Sequence, residues 1–387
     1  MPLLALLSLG TFVVGMGAFG VIGVITPMSR DLGLTPVGAS WMMGAYAVAY
    51  ALGSPLATSL TGRWDRRAVL ATGMILFALG ALACAFATGA TLLYAGRVLM
   101  ALGSGLYSPA AAGVGLFSVP PEKRGRALAT VYAGLTVAQV LGVPVGSYIG
   151  YTFGWMWVFL AVAAGALALT VALLLRAPAR IGIAPATLAD LIGTLTDLRL
   201  AIAILLTVTV MSSAWAPYTF LAPIIEEKTG AGPETVGVLL VIYGLGSVAG
   251  NALGGFLTDR VGAVKALAVA TAGPLPFMAA LTGMAWDPWL GAALLFGWSA
   301  VGWAVAVPQQ TRLVSLDPAR TQVLLALNAA SIYLGAAIGS SVGGFAKSIG
   351  GIPALGVAGI AFGLLALAHL ALTVRLGGRR DRGGRDY

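Results

Sequence analysis

Apolar residues run through this chain in long unbroken stretches. They show neither the two-residue alternation of half-buried strands nor the one-sided stripe of soluble helices. Twelve such stretches stand out, near 3–28, 38–61, 69–88, 90–115, 127–150, 155–176, 199–225, 235–258, 265–284, 288–311, 322–346 and 352–376. A helix needs about 20 apolar residues to cross about 30 Å of hydrocarbon. Backbone groups find no water partner inside lipid, so each stretch is predicted to be a membrane-spanning helix. The runs are too long and too uniformly apolar for barrel strands. The first has no basic leader and no small-residue cleavage site, so it is read as a retained span.

Composition agrees. Of 387 residues, 59% are apolar and 9% charged, and the mean hydropathy is +0.95. A soluble domain carries about 25% charged residues, so a soluble enzyme, a disordered chain and a secreted disulfide scaffold are all excluded. Cys84 is the single cysteine and His369 the single histidine. No internal disulfide, cysteine metal cluster or histidine-based triad is therefore expected, and neither a cofactor nor a metal is expected. No phosphate-cradling G-x-x-x-x-G-K-[ST] loop is present, which removes ATP-driven pumping by this chain.

The net charge of +9 is a topology signal. With twelve spans both termini share a side, and 18 of the 22 Lys and Arg residues fall in that side's loops and tail, against 3 in the opposite loops. Arg97 lies within a span, and Arg312 is counted among the loop cations. Positive charge marks the cytoplasmic face, so both termini are expected in the cytoplasm and nucleic acid is not expected as a partner. Residues 1–176 form a first set of six spans and 199–376 a second. Between them lies the linker 177–198, where Leu188, Leu191, Ile192 and Leu195 predict a short amphipathic helix at the membrane surface. Residues 377–387 are read as a flexible basic tail.

The halves are related. Leu60-Thr61-Gly62-Arg63-Trp64-Asp65-Arg66-Arg67 follows the second span, and Gly255-Phe256-Leu257-Thr258-Asp259-Arg260-Val261-Gly262 follows the eighth. Arg63 and Arg260 stand 197 residues apart, the internal repeat expected of a two-half carrier. With these turns the chain resembles the major facilitator superfamily over nearly its whole length. The second turn matches that family's cytoplasmic loop motif at Gly255, Leu257, Asp259, Arg260 and Gly262. In the first, Gly62 stands where an aspartate is usual, as in the branch resembling arabinose-, sugar- and nucleoside-efflux proteins. Arg97, in Tyr94-Ala95-Gly96-Arg97, is similar to the span-four arginine motif. The span-five segment from Gly134 to Gly146 looks like the signature of the drug:proton antiporter group, which implies export.

The resemblance implies an all-α fold of twelve helices in two six-helix halves, and a monomeric carrier in a bacterial inner membrane. It implies export of a small organic molecule by alternating access, coupled to protons, with no chemistry done on the substrate. An uncoupled facilitator or uptake carrier on the same fold is the alternative. A membrane enzyme or receptor is a distant one, because no clustered nucleophile or paired carboxylate lies inside a span.

The expected cavity faces spans 1, 4, 7 and 10, helped by 2, 5, 8 and 11. Candidate substrate-binding residues are Met16, Phe19, Tyr46, Arg97, Gln139, Trp215, Tyr218, Trp298, Trp303, Asn328 and Tyr333. Aromatic walls with a few polar anchors suit small, partly apolar solutes. Trp298 and Trp303 are five residues apart, so only one is expected to point inward. Arg97 has two open readings, as a ligand for an anionic or carbonyl-bearing substrate and as a hydrogen-bond hub between helices; a mid-membrane charge costs about 2.5–3.5 kcal/mol on insertion scales. Candidate gating residues are Arg63, Asp65, Arg66, Arg67, Asp259, Arg260 and Gly262, whose arginines can bond helix C-termini. Gly142, Pro144 and Gly146 are the candidate helix-bend residues. Every carboxylate falls in a loop or at a span end. Glu226 and Glu227, at the outer end of span seven, are the candidate proton-coupling acids, and His369 reads as structural.

Overall fold

A computed structural model describes residues 3–61, 64–120, 123–178 and 188–383. It is helical, with no strand among the described residues. In chain order the first six spans begin with α1 (Leu3–Gly23) and α2 (Ile25–Asp31). They continue with α3 (Pro36–Leu60), α4 (Arg66–Ala85), α5 (Ala90–Phe117), α6 (Arg124–Thr152) and α7 (Met156–Arg176). The predicted surface helix is α8 (Leu188–Leu195), with Ile192 and Leu195 exposed. The second set is α9 (Leu198–Tyr218), α10 (Leu221–Thr229), α11 (Pro233–Val261), α12 (Ala263–Ala272), α13 (Pro274–Gly283), α14 (Pro288–Gly302), α15 (Ala306–Leu316) and α16 (Thr321–Gly383).

The spans are not all single rods, and proline explains where they break. Span one is interrupted between α1 and α2, and span seven between α9 and α10. Pro27 has no N–H for the Gly23 carbonyl, and Pro223 none for the Thr219 carbonyl; each removes one rung of the i→i−4 ladder at the interruption. Span nine breaks between α12 and α13 at Gly273–Pro274 for the same reason.

The last two predicted spans are continuous by backbone bonding but interrupted at Gly351, whose φ of 64° and ψ of −151° are not helical. Both legs pack on α9, in opposite senses. Before Gly351, close approaches pair Gly335 with Val208, Gly339 with Ser212 and Gly343 with Ala216, so the first leg runs parallel to α9. After it, Gly359 lies near Ser213 and Pro217, whereas the ring of His369 reaches back to Ile202. The second leg is therefore antiparallel, and Gly351 is the tip of a helical hairpin. Only a residue without a Cβ takes that positive φ freely. The helix then continues to Gly383, so the described part of the tail expected to be flexible is helical. No proline stops it from propagating.

The chain divides into two compact units. One is Met1–Pro185 with Phe220–Val241; the other is Ala186–Thr219 with Ile242–Tyr387. The division passes through the proline break of span seven, so α10 groups with the first six spans. In the second unit, Leu206, Leu267, Val305, Ala366 and Leu370 form one buried apolar cluster.

Candidate functional site

A cavity lies within the second unit. Helices α9, α11, α12, α13 and α14 supply its walls, with the 3₁₀ turn Trp303–Val305 that follows α14. Five aromatic side chains line it as one connected array. Trp215 meets Tyr218 edge-on, with ring centroids 5.1 Å apart. Tyr218 stacks on Tyr243 at 5.2 Å with planes 22° apart. Tyr243 packs on Trp298 at 5.4 Å, and the Trp303 indole donates to the Tyr243 hydroxyl at 3.3 Å. Met211, Met278, Ser213 and Thr271 add sulfur and hydroxyl groups, and no lining residue is ionisable at neutral pH. The span-nine break opens on this space: Ala270, Thr271 and Pro274 all line it, and Pro274 cannot donate to the Ala270 carbonyl.

Four sequence candidates, Trp215, Tyr218, Trp298 and Trp303, thus come together. The two tryptophans of span ten both line the cavity, where only one was expected to. Tyr243 accounts for this, because Trp298 packs against its ring while Trp303 reaches its hydroxyl. Tyr243 itself was missed. The repeat carried the signal, since Tyr243 lies 197 residues after Tyr46, the offset that relates Arg260 to Arg63.

In the first unit, Arg97 is fully buried. Its Nε donates to the Met42 carbonyl at 2.9 Å and its Nη1 to the Gly17 carbonyl at 2.7 Å. The guanidinium also stands 4.5 Å from the centroid of the Tyr46 ring, and Nη2 lies 3.8 Å from the Met43 sulfur. The Tyr46 hydroxyl donates to Ser104 Oγ at 2.8 Å. Of the two readings of Arg97, these contacts describe the hub, because span four is tied to spans one and two by carbonyls that bind its charge.

The remaining binding candidates are scattered. Phe19 is buried against Gly142, while Met16 and Gln139 are half-buried in the first unit. Asn328 is buried away from the aromatic array; its Oδ1 accepts from Thr207 at 2.6 Å, and Thr207 in turn accepts from Gln309 at 2.9 Å. Tyr333 is half-buried and does not line the cavity. Arg312 is not the loop cation expected from sequence. It lies on α15, 6% exposed, and donates to Thr373 Oγ1 at 2.7 Å. Gln309 and Arg312, three apart, share the face of α15 that meets α9 and α16. His369 bonds the Ile202 carbonyl at 3.1 Å and Thr209 at 3.3 Å.

The span-five glycines form a contact seam with span one. A Cβ on Gly146 would stand 2.3 Å from the Gly20 carbonyl oxygen, and one on Gly142 would stand 2.9 Å from the Phe19 Cβ. Pro144 is buried between them. Span eleven repeats the seam on span seven, where Cβ atoms on Gly339 and Gly343 would stand 2.5 and 2.4 Å from the Ser212 and Ala216 carbonyls. Gly339 and Gly343 follow Gly142 and Gly146 by 197 residues. Small residues let helices approach backbone to backbone in lipid.

Among the gating candidates, Asp65 caps α4 by accepting from the Arg67 N–H at 2.8 Å. Arg67 Nε donates to the Ala177 carbonyl, at the C-terminus of α7, at 2.6 Å. That places a cation on the negative end of a helix dipole. Arg66 is buried. Asp259 and Arg260 are exposed, Arg260 lies over the Phe256 ring at 4.6 Å, and Gly262 takes a φ of 82° ahead of α12. Arg63 lies outside the described residues. At the other end, the Tyr151 hydroxyl donates to the half-buried Glu226 carboxylate, and Glu227 is exposed.

Comparison with known proteins gives three kinds of match. The Major Facilitator Superfamily sequence profile matches residues 7–199 and 200–385. The inner membrane transport protein YdhP of Escherichia coli K12 is 31% identical over 93% of this chain and 94% of its own. The chloramphenicol resistance protein of Streptomyces lividans is 34% identical over 88% of each. In fold, the chain is similar to a bacterial homologue of the human lysosomal transporter Spinster in an inward-facing, unoccupied conformation. That match has a TM-score of 0.75 and covers 96% of both chains at 17% identity.

Proposed function

Because this chain belongs to the major facilitator superfamily, we propose that it is a secondary transporter that exports small organic molecules across a bacterial inner membrane by alternating access. One observation carries the reading: five aromatic side chains from spans seven, eight and ten converge on one cavity with no charged lining. Such a space holds a partly apolar solute and lets it go, since nothing in it forms a tight ionic bond. Export is supported by the span-five glycine signature and by a relative named for chloramphenicol resistance. The inner-membrane location is supported by the name of YdhP, and cytoplasmic termini by the distribution of cations.

Proton antiport is the coupling proposed, with Glu226 as the acid. This carboxylate is half-buried and accepts from the Tyr151 hydroxyl. The repeated glycine seams and the proline breaks of spans one and seven supply the sliding contacts and flexing points, while Arg67 of α4, bonded to the end of α7, and, separately, the turn Asp259–Gly262 are the gating residues proposed. A second reading, uncoupled facilitation, is favoured by the lack of any carboxylate lining the cavity.

The test is flux in liposomes with a pH-sensitive dye inside, using sugars, nucleosides, phenicols and organic anions one at a time. Substrate-dependent proton movement supports antiport. Flux of a substrate with a silent dye overturns the coupling and leaves a facilitator.

A further inference from the structure

The geometry points to a sodium site in the first unit, at the break of span one where it packs on span five. It is separate from the aromatic cavity and from the proton coupling proposed above. Spans one and five run side by side here. A Cβ on Gly146 would stand 2.3 Å from the Gly20 carbonyl oxygen; one on Gly23 would stand 2.3 Å from the Val143 carbonyl oxygen and 2.5 Å from the Ser147 nitrogen. Pro27 cannot donate to the Gly23 carbonyl. Beside this break lie two hydroxyls, Thr26 on α2 and Ser147 on α6. Tyr151, one turn after Ser147, stands next to Thr26, so both hydroxyls lie on one stretch of the seam. Ser147 is fully buried, and neither hydroxyl oxygen has a well-formed hydrogen bond or contact with solvent. Other buried hydroxyls in the spans give their proton to their own helix. Thr170, Thr271 and Thr282 bond the Ala166, Leu267 and Met278 carbonyls at 2.9, 2.8 and 2.7 Å. Among the described residues, the one other sealed side-chain oxygen without a partner is Gln309 Oε1, in the second unit.

The donor set decides the ligand. It is all oxygen: the Thr26 and Ser147 hydroxyls with the Gly23 and Val143 carbonyls, each carbonyl having two lone pairs. Oxygen donors suit hard cations, and divalent ones are held through carboxylates. The carboxylate at hand, Glu226, is engaged by Tyr151, where the charge of Arg30 opposes it. A neutral set of this kind suits a monovalent ion. Size then selects. Both hydroxyl oxygens are closed to a water-sized body, which counts against water and against potassium, an ion of that size, and for the smaller sodium ion. Unwound carbonyls of broken membrane helices are sodium ligands elsewhere. A bound ion here ties the flexing point of span one to span five, so the break is stiff while the ion stays and loose once it leaves.

The experiment is thermal unfolding of the full chain in detergent, in sodium, potassium or choline chloride at one ionic strength. The midpoint is expected to rise with the logarithm of sodium concentration once the site fills, because an ion that binds only the folded chain stabilises it. Potassium and choline should leave it unmoved. Ser147→Ala and Thr26→Val each remove one oxygen. Each should abolish the sodium response and leave the sodium-free midpoint unchanged or higher, since a buried hydroxyl without a partner stabilises nothing. Thr170→Val, whose hydroxyl is spent inside α7, should keep the response. No rise in sodium, an equal rise in potassium, or a response that survives both Ser147→Ala and Thr26→Val overturns the site. If a variant fails to fold, the contrast between sodium and potassium in the parent chain decides the matter. The ion is read without any substrate, so the two claims fail separately. A sodium response in a chain that moves no solute counts against the transporter reading alone, and flux with no sodium response counts against the site alone.

Discussion

The Arg97 guanidinium lies 4.5 Å above the ring of Tyr46, and the Tyr46 hydroxyl is itself tied to Ser104 at 2.8 Å. Span four thus grips span two through a charge over a ring, a guanidinium bond to the Met42 carbonyl and a hydroxyl pair, while Arg97 also holds span one through Gly17. Arg97→Ala is expected to lower stability strongly, because each charge-assisted hydrogen bond contributes about 1.5–3 kcal/mol. The melting midpoint in detergent should fall sharply, and Arg97→Lys should recover only part of it, lacking the fork of donors. A variant that kept its midpoint but lost substrate affinity would return Arg97 to the binding group.

The glycine seams predict matched sensitivity in the two halves. Gly146→Ala and Gly343→Ala each drive a methyl into a backbone carbonyl, which cannot move aside as a side chain can, so each should cost about 1–3 kcal/mol. Gly255→Ala, with nothing within 4 Å of the new Cβ, serves as the control. Folded yield by fluorescence-detected size exclusion reads all three, and tolerance at Gly343 alone would break the equivalence.

Glu226→Gln and Tyr151→Phe should act together, since they remove the two sides of one contact. Each is expected to reduce proton movement per substrate exported, with ligand binding retained. Glu227→Gln, on the exposed side of the same helix, should leave both unchanged. Full proton coupling in the Glu226→Gln protein would remove this acid from the mechanism.

Asp65→Ala should cost about 0.5–2 kcal/mol by uncapping α4, and Asp65→Asn, which still accepts from the Arg67 N–H, should cost less. Arg67→Ala leaves the Ala177 carbonyl at the end of α7 without this donor. If the pair serves the gate, cysteine-accessibility labelling from the cytoplasmic side should rise in Arg67→Ala at equal stability. Unchanged labelling would confine Arg67 to fixing the end of α7.

How much of this was legible beforehand differs by kind of feature. The spans were readable because a bilayer demands long apolar runs, and the linker helix because Leu188, Leu191, Ile192 and Leu195 recur at helical spacing. Trp215 and Tyr218 were readable as one stripe on one helix. Tyr243 was not, since a stripe search along one span ignores its copy in the other half. The partners of Arg97 are main-chain carbonyls at Gly17 and Met42, and a carbonyl leaves no mark in a sequence. Arg312 read as a loop cation because one arginine near a span end looks like a topology marker, until Thr373 is seen to receive it from another helix.

The hairpin at Gly351 has a consequence for how the chain is made. Span seven carries Thr207, Ser212, Ser213 and Thr219, and their partners Asn328, Gly335, Gly359 and Ser340 follow 121 to 146 residues later. During synthesis span seven enters the bilayer with four hydroxyls whose final companions have not yet left the ribosome. The two legs beyond it arrive almost as one piece, joined by a single glycine. The long-range bonds of span seven are therefore completed only when the last pair of helices is released.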